Sequence, residues 1–223
     1  MNKKILILSL ILGFSLSFLG CGENNNPNTR ITKQLKEGKP KQEYSKLAQI
    51  FFDEGNYKKA LELDLKQLEE DLQYYKENST EISLDYNNIG LDYDEMENYN
   101  KALEYYTKAM KIDNVVLDLN SPERATTYYN VGSTYDALDK NSNALKYYFK
   151  ALEIDKNISG EVNENVLSSY IDIAKVYDKT EKYPSALTYY KKALHVQEEL
   201  FGNDNLDTAV LKRTIEGIKK KVK

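Results

Sequence analysis

The protein has 223 residues, one cysteine, one histidine and no tryptophan, and its formal net charge is −4. Charged residues make up 30% of the chain and hydrophobic residues 41%, which suits a soluble body with its own core. One cysteine excludes an internal disulfide, and one histidine argues against a histidine-based metal centre or catalytic triad.

The N-terminus has the pattern of an export signal. Two lysines precede an apolar run over residues 5–19, which is shorter than the ~20 residues of a membrane-spanning helix. The run ends in Phe18-Leu19-Gly20-Cys21, which resembles a bacterial lipobox, although Phe18 stands where leucine is usual. The resemblance implies a lipoprotein signal peptide over residues 1–21 and a membrane anchor through lipid on Cys21. An uncleaved signal anchor, and ordinary cleavage beside an incidental cysteine, are the alternatives.

Residues 22–40 are polar and basic and have no apolar periodicity. This composition predicts a flexible tether that takes no part in a core. Its positive charge would either lie against anionic headgroups or belong to a merely soluble spacer. The folded domain is therefore expected to begin near residue 41.

From there the sequence repeats every 42 residues. Each unit has an aromatic residue, a small residue four positions later, a second aromatic three positions after that, and then an Ala-Leu pair. The columns are Tyr44, Tyr86, Tyr128 and Tyr170; Ala48, Gly90, Gly132 and Ala174; Phe51, Tyr93, Tyr135 and Tyr177; and the pairs beginning at Ala60, Ala102, Ala144 and Ala186. The first three columns lie on one face of a helix, with the small residue where a neighbouring helix crosses closely.

A second helix is predicted in each unit after a short polar turn. Ala102, Tyr106 and Ala109 again have the spacing i, i+4, i+7, and the next two units repeat this stripe. Ser121 and Pro122 have the pattern of an N-cap and the first residue of a helix. Most tyrosines therefore belong to the scaffold.

The order of large residue, small residue and aromatic, then alanine, aromatic and alanine, resembles the tetratricopeptide repeat. The usual repeat has about 34 residues, and the longer period resembles the kinesin light chain family, in which each helix is about one turn longer. The usual closing proline is absent. The resemblance implies an all-α, right-handed superhelical solenoid over residues 41–223. Its four units are placed at about 41–82, 83–124, 125–166 and 167–208, with a capping helix over 206–222.

The two ends of the array are irregular, as expected of caps. In the first unit the second stripe reads Ala60, Asp64 and Gln67 in place of alanine, tyrosine and alanine. In residues 206–222 apolar residues occupy one helical face and basic residues the other. This pattern predicts a solubilising helix, with a nucleic-acid site as the less favoured reading.

In tetratricopeptide proteins the first helix of each unit lines a concave groove, so the resemblance implies that ligands contact the exposed columns of those helices. One column contains Lys46, Asn88, Asn130 and Asp172, and its neighbour contains Asn87 and the candidate ligand-facing ring of Tyr129. An asparagine amide donates and accepts at once, so it pairs with a peptide backbone whatever the side chains are. Asn88 and Asn130 fit this use, while Lys46 and Asp172 would read something else. The alternative is that the two asparagines are only solvated.

A further column places carboxylates one repeat apart, at Asp94, Asp136 and Asp178. We expect an acidic stripe along the groove. Residues 42–211 contain 18 basic and 32 acidic residues, a net charge of −14. Stripe and body together predict a protein or peptide ligand that carries Lys or Arg, and they disfavour nucleic acid.

No catalytic pattern stands out in the chain. It has no glycine-rich phosphate loop, no His-Glu-x-x-His sequence, and no serine or cysteine with a histidine in helical reach. His195 falls late in a second helix, where a surface position is expected. We therefore expect a non-enzymatic protein without a cofactor or metal.

These features together predict a bacterial lipoprotein that acts as an adaptor or scaffold on the extracytoplasmic side of a membrane, periplasmic or at the surface. It would hold a peptide or helix of a partner in its groove. One alternative is a surface lipoprotein that contacts host or environmental molecules. Another is an accessory subunit of an envelope enzyme that binds glycan through Tyr129 and the acidic stripe. Imperfect capping of the first unit leaves a monomer and a homodimer both open.

Overall fold

A computed structural model of the chain describes residues 42–222, so the predicted signal peptide, Cys21 and the tether lie outside the described residues. The described residues form nine α-helices and no strand. The helices are α1 Glu43–Asp53, α2 Tyr57–Tyr74, α3 Thr80–Glu95, α4 Tyr99–Val116, α5 Pro122–Ala137, α6 Asn141–Ser159, α7 Glu164–Lys179, α8 Tyr183–Phe201 and α9 Leu206–Lys221.

These helices form four hairpins followed by a single helix. Within a hairpin α1 packs on α2, α3 on α4, α5 on α6 and α7 on α8, and each second helix packs on the first helix of the next hairpin. We call the hairpins units 1 to 4. Their order confirms the predicted all-α repeat solenoid, and α9 confirms the capping helix to within one residue.

Every first helix after α1 begins at a side-chain cap. The caps are Ser79, Ser121, Asn163 and Asn205. Each accepts a hydrogen bond from a backbone N–H two or three residues later, at 2.8–3.4 Å. Pro122 occupies the first helical position, as predicted. The caps recur every 42 residues and start α3, α5 and α7 three residues before the unit limits predicted from the sequence.

The turn inside each unit has the same backbone closure. Its central residues are Gly55, Glu97, Asp139 and Glu181, whose φ angles lie between 57° and 77°. The N–H of this residue and of the next bond back to carbonyls three and five residues earlier, which is a Schellman motif. Only unit 1 has glycine there, the residue that adopts this conformation without strain. The repeated closure sets the path of the chain from each first helix into its second.

The two helices of a unit approach closely because one of them has a very small residue at the crossing. A Cβ on Gly90 would lie 2.5 Å from Cε1 of Tyr106, and a Cβ on Gly132 would lie 2.8 Å from Cδ1 of Tyr148. Both tyrosines are buried. This geometry confirms the predicted role of the small-residue column.

Three tyrosines form the same ring cluster in units 2, 3 and 4. In unit 2, Tyr105 stacks on Tyr93 with ring centroids 5.5 Å apart, and its centroid lies 6.0 Å from that of Tyr86. The equivalent stacked pairs have centroids 5.6 Å apart in unit 3 and 5.7 Å apart in unit 4. The repeating tyrosines are therefore scaffold residues, as predicted.

Substitution of Gly90 tests the close crossing. We expect Gly90→Ala to lower the free energy of unfolding by about 1–3 kcal/mol, because the new methyl group overpacks against Tyr106. The control is Gly217→Ala in α9, where a Cβ meets nothing within 4 Å and should stabilise the helix by about 0.5–1 kcal/mol. Urea denaturation measures both. Equal effects of the two substitutions would contradict the crossing.

Candidate partner-binding groove

The first helices of successive units are linked side chain to side chain. Five contacts tie α3 to α5, α5 to α7 and α7 to α9, each between residues 40 or 43 positions apart. The contacts are Asn87 to Thr127 at 2.7 Å, Thr134 to Asp94 at 2.9 Å, Tyr129 to Asp172 at 2.5 Å, Lys179 to Asp136 at 3.2 Å and Lys221 to Asp178 at 2.9 Å. The first helices from α3 to α9 therefore form one continuous layer, and its outward face, together with that of α1, is the candidate groove.

Asn87 is not a groove residue, so the prediction for it is wrong. It is 7% exposed, and its Nδ2 donates to Oγ1 of Thr127, which in turn donates to Oδ2 of Asp113 at 2.8 Å. The relay joins α3, α5 and α4. Asn87 is buried because the residue that follows the repeating tyrosine faces the next unit.

Tyr129 occupies the same column and also faces the next unit. Its hydroxyl donates to Oδ2 of Asp172, and its ring centroid lies 5.5 Å from that of Tyr148. Burial, together with the charge of Asp172, raises the pKa of the Tyr129 hydroxyl. Lys175 donates to the other oxygen of Asp172 at 2.8 Å. The prediction of a ligand-facing ring is therefore wrong, and the glycan alternative loses its main contact.

The prediction of an acidic stripe of open carboxylates is wrong. Asp94 is 4% exposed and accepts from Thr134. Asp136 and Asp178 are half-buried, and each forms an ion pair with a lysine 43 residues later in the next unit. The stripe carboxylates are thus buried or neutralised by the array itself.

Three of the predicted groove residues remain on the outward face of the first helices. Lys46 is exposed, whereas Asn88 and Asn130 are half-buried. Nδ2 of Asn130 is itself buried and has no hydrogen-bond partner within residues 42–222. Leu84, which was not predicted from the sequence, lies one turn before Asn88 and is 51% exposed. An exposed leucine at i−4 of a groove asparagine was the signal that could have found it, since the two share a helical face.

His195 is exposed on α8, as predicted. Between residues 42 and 222 no group of His, Cys, Asp or Glu is arranged to hold a metal ion. In the same range no helix combines the length and the apolarity needed to cross a membrane.

A family model for the tetratricopeptide repeat matches three overlapping stretches, residues 44–114, 84–157 and 123–199. These stretches cover well over half of the chain, so the protein belongs to the tetratricopeptide repeat family, a class of protein–protein interaction scaffolds. No curated protein sequence matches the chain.

Solved structures share the fold. BtubC (BKLC) from P. vanneervenii is 24% identical with a TM-score of 0.72, over 80% of this chain and 71% of that one. A putative kinesin light chain from Podosopora anserina is 13% identical with a TM-score of 0.71, over 81% of this chain and 85% of that one. The apo form of RapI is 17% identical with a TM-score of 0.71, over 86% of this chain and 51% of that one. These likenesses support the long, kinesin-light-chain type of unit.

The two adjacent asparagines are expected to differ in their effect on stability. Asn87→Ala should lower the free energy of unfolding by about 1–2 kcal/mol, because it removes a buried hydrogen bond between units. Asn88→Ala should change it by less than about 0.5 kcal/mol, since Asn88 faces outward. Urea denaturation compares the two variants. A larger loss for Asn88→Ala would contradict its place in the groove.

Proposed function

We propose that the protein is an adaptor that binds a peptide or helix of a partner protein on the face formed by its first helices. One observation carries this proposal. Asn88 and Asn130 occupy equivalent positions in neighbouring units and remain on this face, whereas Asn87, Tyr129 and Asp94 make contacts between units. Membership of a family of interaction scaffolds supports binding as the activity of this face, in preference to catalysis.

The two amides would hold an extended backbone in the way that neighbouring strands hold each other. An asparagine amide has one acceptor and two hydrogens, so Asn88 would pair with a peptide C=O and N–H together, whereas Nδ2 of Asn130 is buried and would have to turn outward before it donates. Leu84 lies beside Asn88 and would cover an apolar side chain of the partner. Lys46 lies at the unit 1 end of this row and would contact a different chemical group of the partner. The basic character proposed for the partner now rests on the net charge of residues 42–211, because the stripe carboxylates are engaged.

The anchoring part of the proposal rests on the sequence of residues 1–40. Lipid on Cys21 would hold the protein to a membrane of the bacterial envelope, and residues 22–40 would set its reach. Such an anchor keeps the groove near partners in the same membrane. Their effective concentration rises without any new contact.

Site-specific photo-crosslinking tests the groove in intact cells. A photoreactive amino acid replaces Asn88 or Asn130, and the matched controls replace Asn100 and Asn143, which are exposed on second helices. We expect a discrete crosslinked protein from positions 88 and 130 only. Asn88→Ala combined with Asn130→Ala should then weaken binding of that protein about tenfold or more, as for two lost hydrogen bonds. The same product from all four positions would contradict the assignment.

Replacement of Cys21 tests the anchor. Cys21→Ser should abolish incorporation of labelled palmitate and release the protein from the membrane fraction, because the chain has no other cysteine. Membrane attachment that survives the substitution would favour the uncleaved signal anchor. Protease treatment of intact cells separates a periplasmic adaptor, which is protected, from a surface lipoprotein, which is cleaved.

A further inference from the structure

Four aspartates are buried where units 1 and 2 meet. Asp64 and Asp71 lie on α2 at 6% and 0% exposure, and Asp85 and Asp92 lie on α3 at 2% and 0%. The two helices pack directly on each other. A charge in such a place is unfavourable unless it is paired or neutralised by a proton.

Three of these carboxyls are particular to this interface. Asp64 stands in the column of Tyr106, Tyr148 and Tyr190; Asp92 in that of Thr134, Val176 and Ile218; and Asp85 in that of Thr127, Ser169 and Leu211. Only Asp71 belongs to a column with further buried acids, Asp113 and Asp155. Where later units place aromatic, apolar or hydroxyl side chains, the first interface places acids.

The four buried carboxyls form two pairs across the interface between α2 and α3. Asp64 interacts with Asp92, and Asp85 interacts with Asp71. Neither oxygen of Asp92 has a hydrogen-bond donor among the described residues. An ionised carboxylate only accepts hydrogen bonds, so two buried carboxyls that interact without a cation are stable together only when they share a proton. The folded interface therefore contains two shared protons.

The amide donors around one pair locate its proton. Gln42 donates to Oδ2 of Asp71 at 2.9 Å, and Gln67 donates to Oδ1 at 3.0 Å. Both oxygens of Asp71 accept from amide hydrogens, which favours Asp71 as the charged member and Asp85 as the acid of the pair. Oδ2 of Asp85 has no hydrogen-bond partner within the described residues, as suits a neutral carboxyl.

The other titratable groups near the pairs are themselves acidic. They are Glu43 on α1, Glu70 on α2, Glu81 on α3 and Tyr106 on α4. The lysines of α2 and α4 that form ion pairs point elsewhere, since Lys59 and Lys66 bind Glu62 and Lys108 binds Glu104. The charge of Arg124 on α5 interacts with Asp113. Burial raises the pKa of Asp64 and of Asp92, and burial with the charge of Asp71 raises the pKa of Asp85 to about 8.

We propose that the interface between units 1 and 2 is a proton-controlled joint, in which the two shared protons hold α2 against α3 and their loss loosens unit 1 from the rest of the solenoid. A deprotonated joint places two carboxylates side by side in each buried pair, and their repulsion opens it. Because a repeat contacts only its neighbours, the opening is confined to α1 and α2.

The sign of the pH dependence follows from the protons bound. An aspartate in an opened chain has a pKa of about 3.9, and the pKa of Asp85 in the closed joint is about 8. Between these values the closed joint binds more protons than the open one. Its stability is therefore complete below about pH 4 and is lost as the pH rises through about 8.

Hydrogen exchange of the full chain in detergent tests the joint unit by unit. After correction for the intrinsic exchange rate, we expect protection of amides in α1 and α2 to fall by up to about tenfold per pH unit for each proton released, between about pH 5 and about pH 8. Amides of α7 and α8 should keep their protection. No fall, or an equal fall in every unit, would overturn the proposal.

Two sets of variants separate the joint from a general effect of pH. Asp64→Asn with Asp92→Asn removes one pair and should reduce the slope in α1 and α2 by about tenfold per pH unit. Asp64→Tyr with Asp92→Thr does the same with the residues of units 2 and 3, and it serves where the first variant fails to fold. Asp136→Asn with Asp178→Asn is the control and should leave the slope unchanged. A slope that both joint variants retain would overturn the proposal.

Addition of divalent cations tests whether the four carboxyls form a cation site instead of a proton joint. We expect calcium, magnesium and EDTA to leave protection at about pH 9 unchanged in the wild type. If calcium or magnesium restored protection there, and did so in the wild type but not in the Asp64→Asn, Asp92→Asn variant, the four carboxyls would form a cation site and the proton joint would be wrong.

Discussion

The architecture depends on how closely the two helices of each unit cross. In units 2 and 3 the ring of the second helix fills the space that a side chain on Gly90 or Gly132 would need. This contact fixes the rotation of both helices about their axes, and the rotation decides where every other column points. The residue after the repeating tyrosine then faces the next unit, and the residue after that faces outward. The burial of Asn87 and the accessibility of Asn88 are consequences of one ring packed against one backbone.

The sequence was sufficient for the fold because its evidence is local and repeated. Periodicity, N-caps such as Ser121 and the small-residue column each depend on residues within one hairpin. The candidate site was predicted less well, because its side chains are engaged across units. Asp136 and Asp178 look like open acids until the lysines 43 residues later are brought beside them. Comparing each column with the one a repeat later, offset by one residue, would have found these ion pairs. The burial of Asp94 needed the helix rotation as well.

Unit 1 shows how a repeat array tolerates a poorly matched interface. Stability in such an array is close to a sum of unit and interface contributions, so a weak interface is least harmful at an end. The inner interfaces contain tyrosine, threonine, valine and isoleucine in the columns where unit 1 meets unit 2 through Asp64 and Asp92. Mutually repelling acid pairs in a central interface would divide the solenoid in two. The single buried acids of the inner interfaces, Asp113 and Asp155, instead accept hydrogen bonds from neutral side chains. At the first interface such pairs affect only the hairpin that follows the predicted tether.

The groove and the joint are structurally independent, because each repeat contacts only its neighbours. Asn88 lies on α3 and Asn130 on α5, and these two helices are joined by the Asn87–Thr127 and Thr134–Asp94 hydrogen bonds. Neither bond involves unit 1, so the asparagine pair keeps its spacing when α2 parts from α3. Lys46 is the groove residue that unit 1 supplies, and it would leave the row with α1. Opening of the joint therefore removes a cation from one end of the groove and leaves its amides in place. A partner that contacts both regions would sense pH through the end that Lys46 occupies, whereas a partner that contacts only the amides would not.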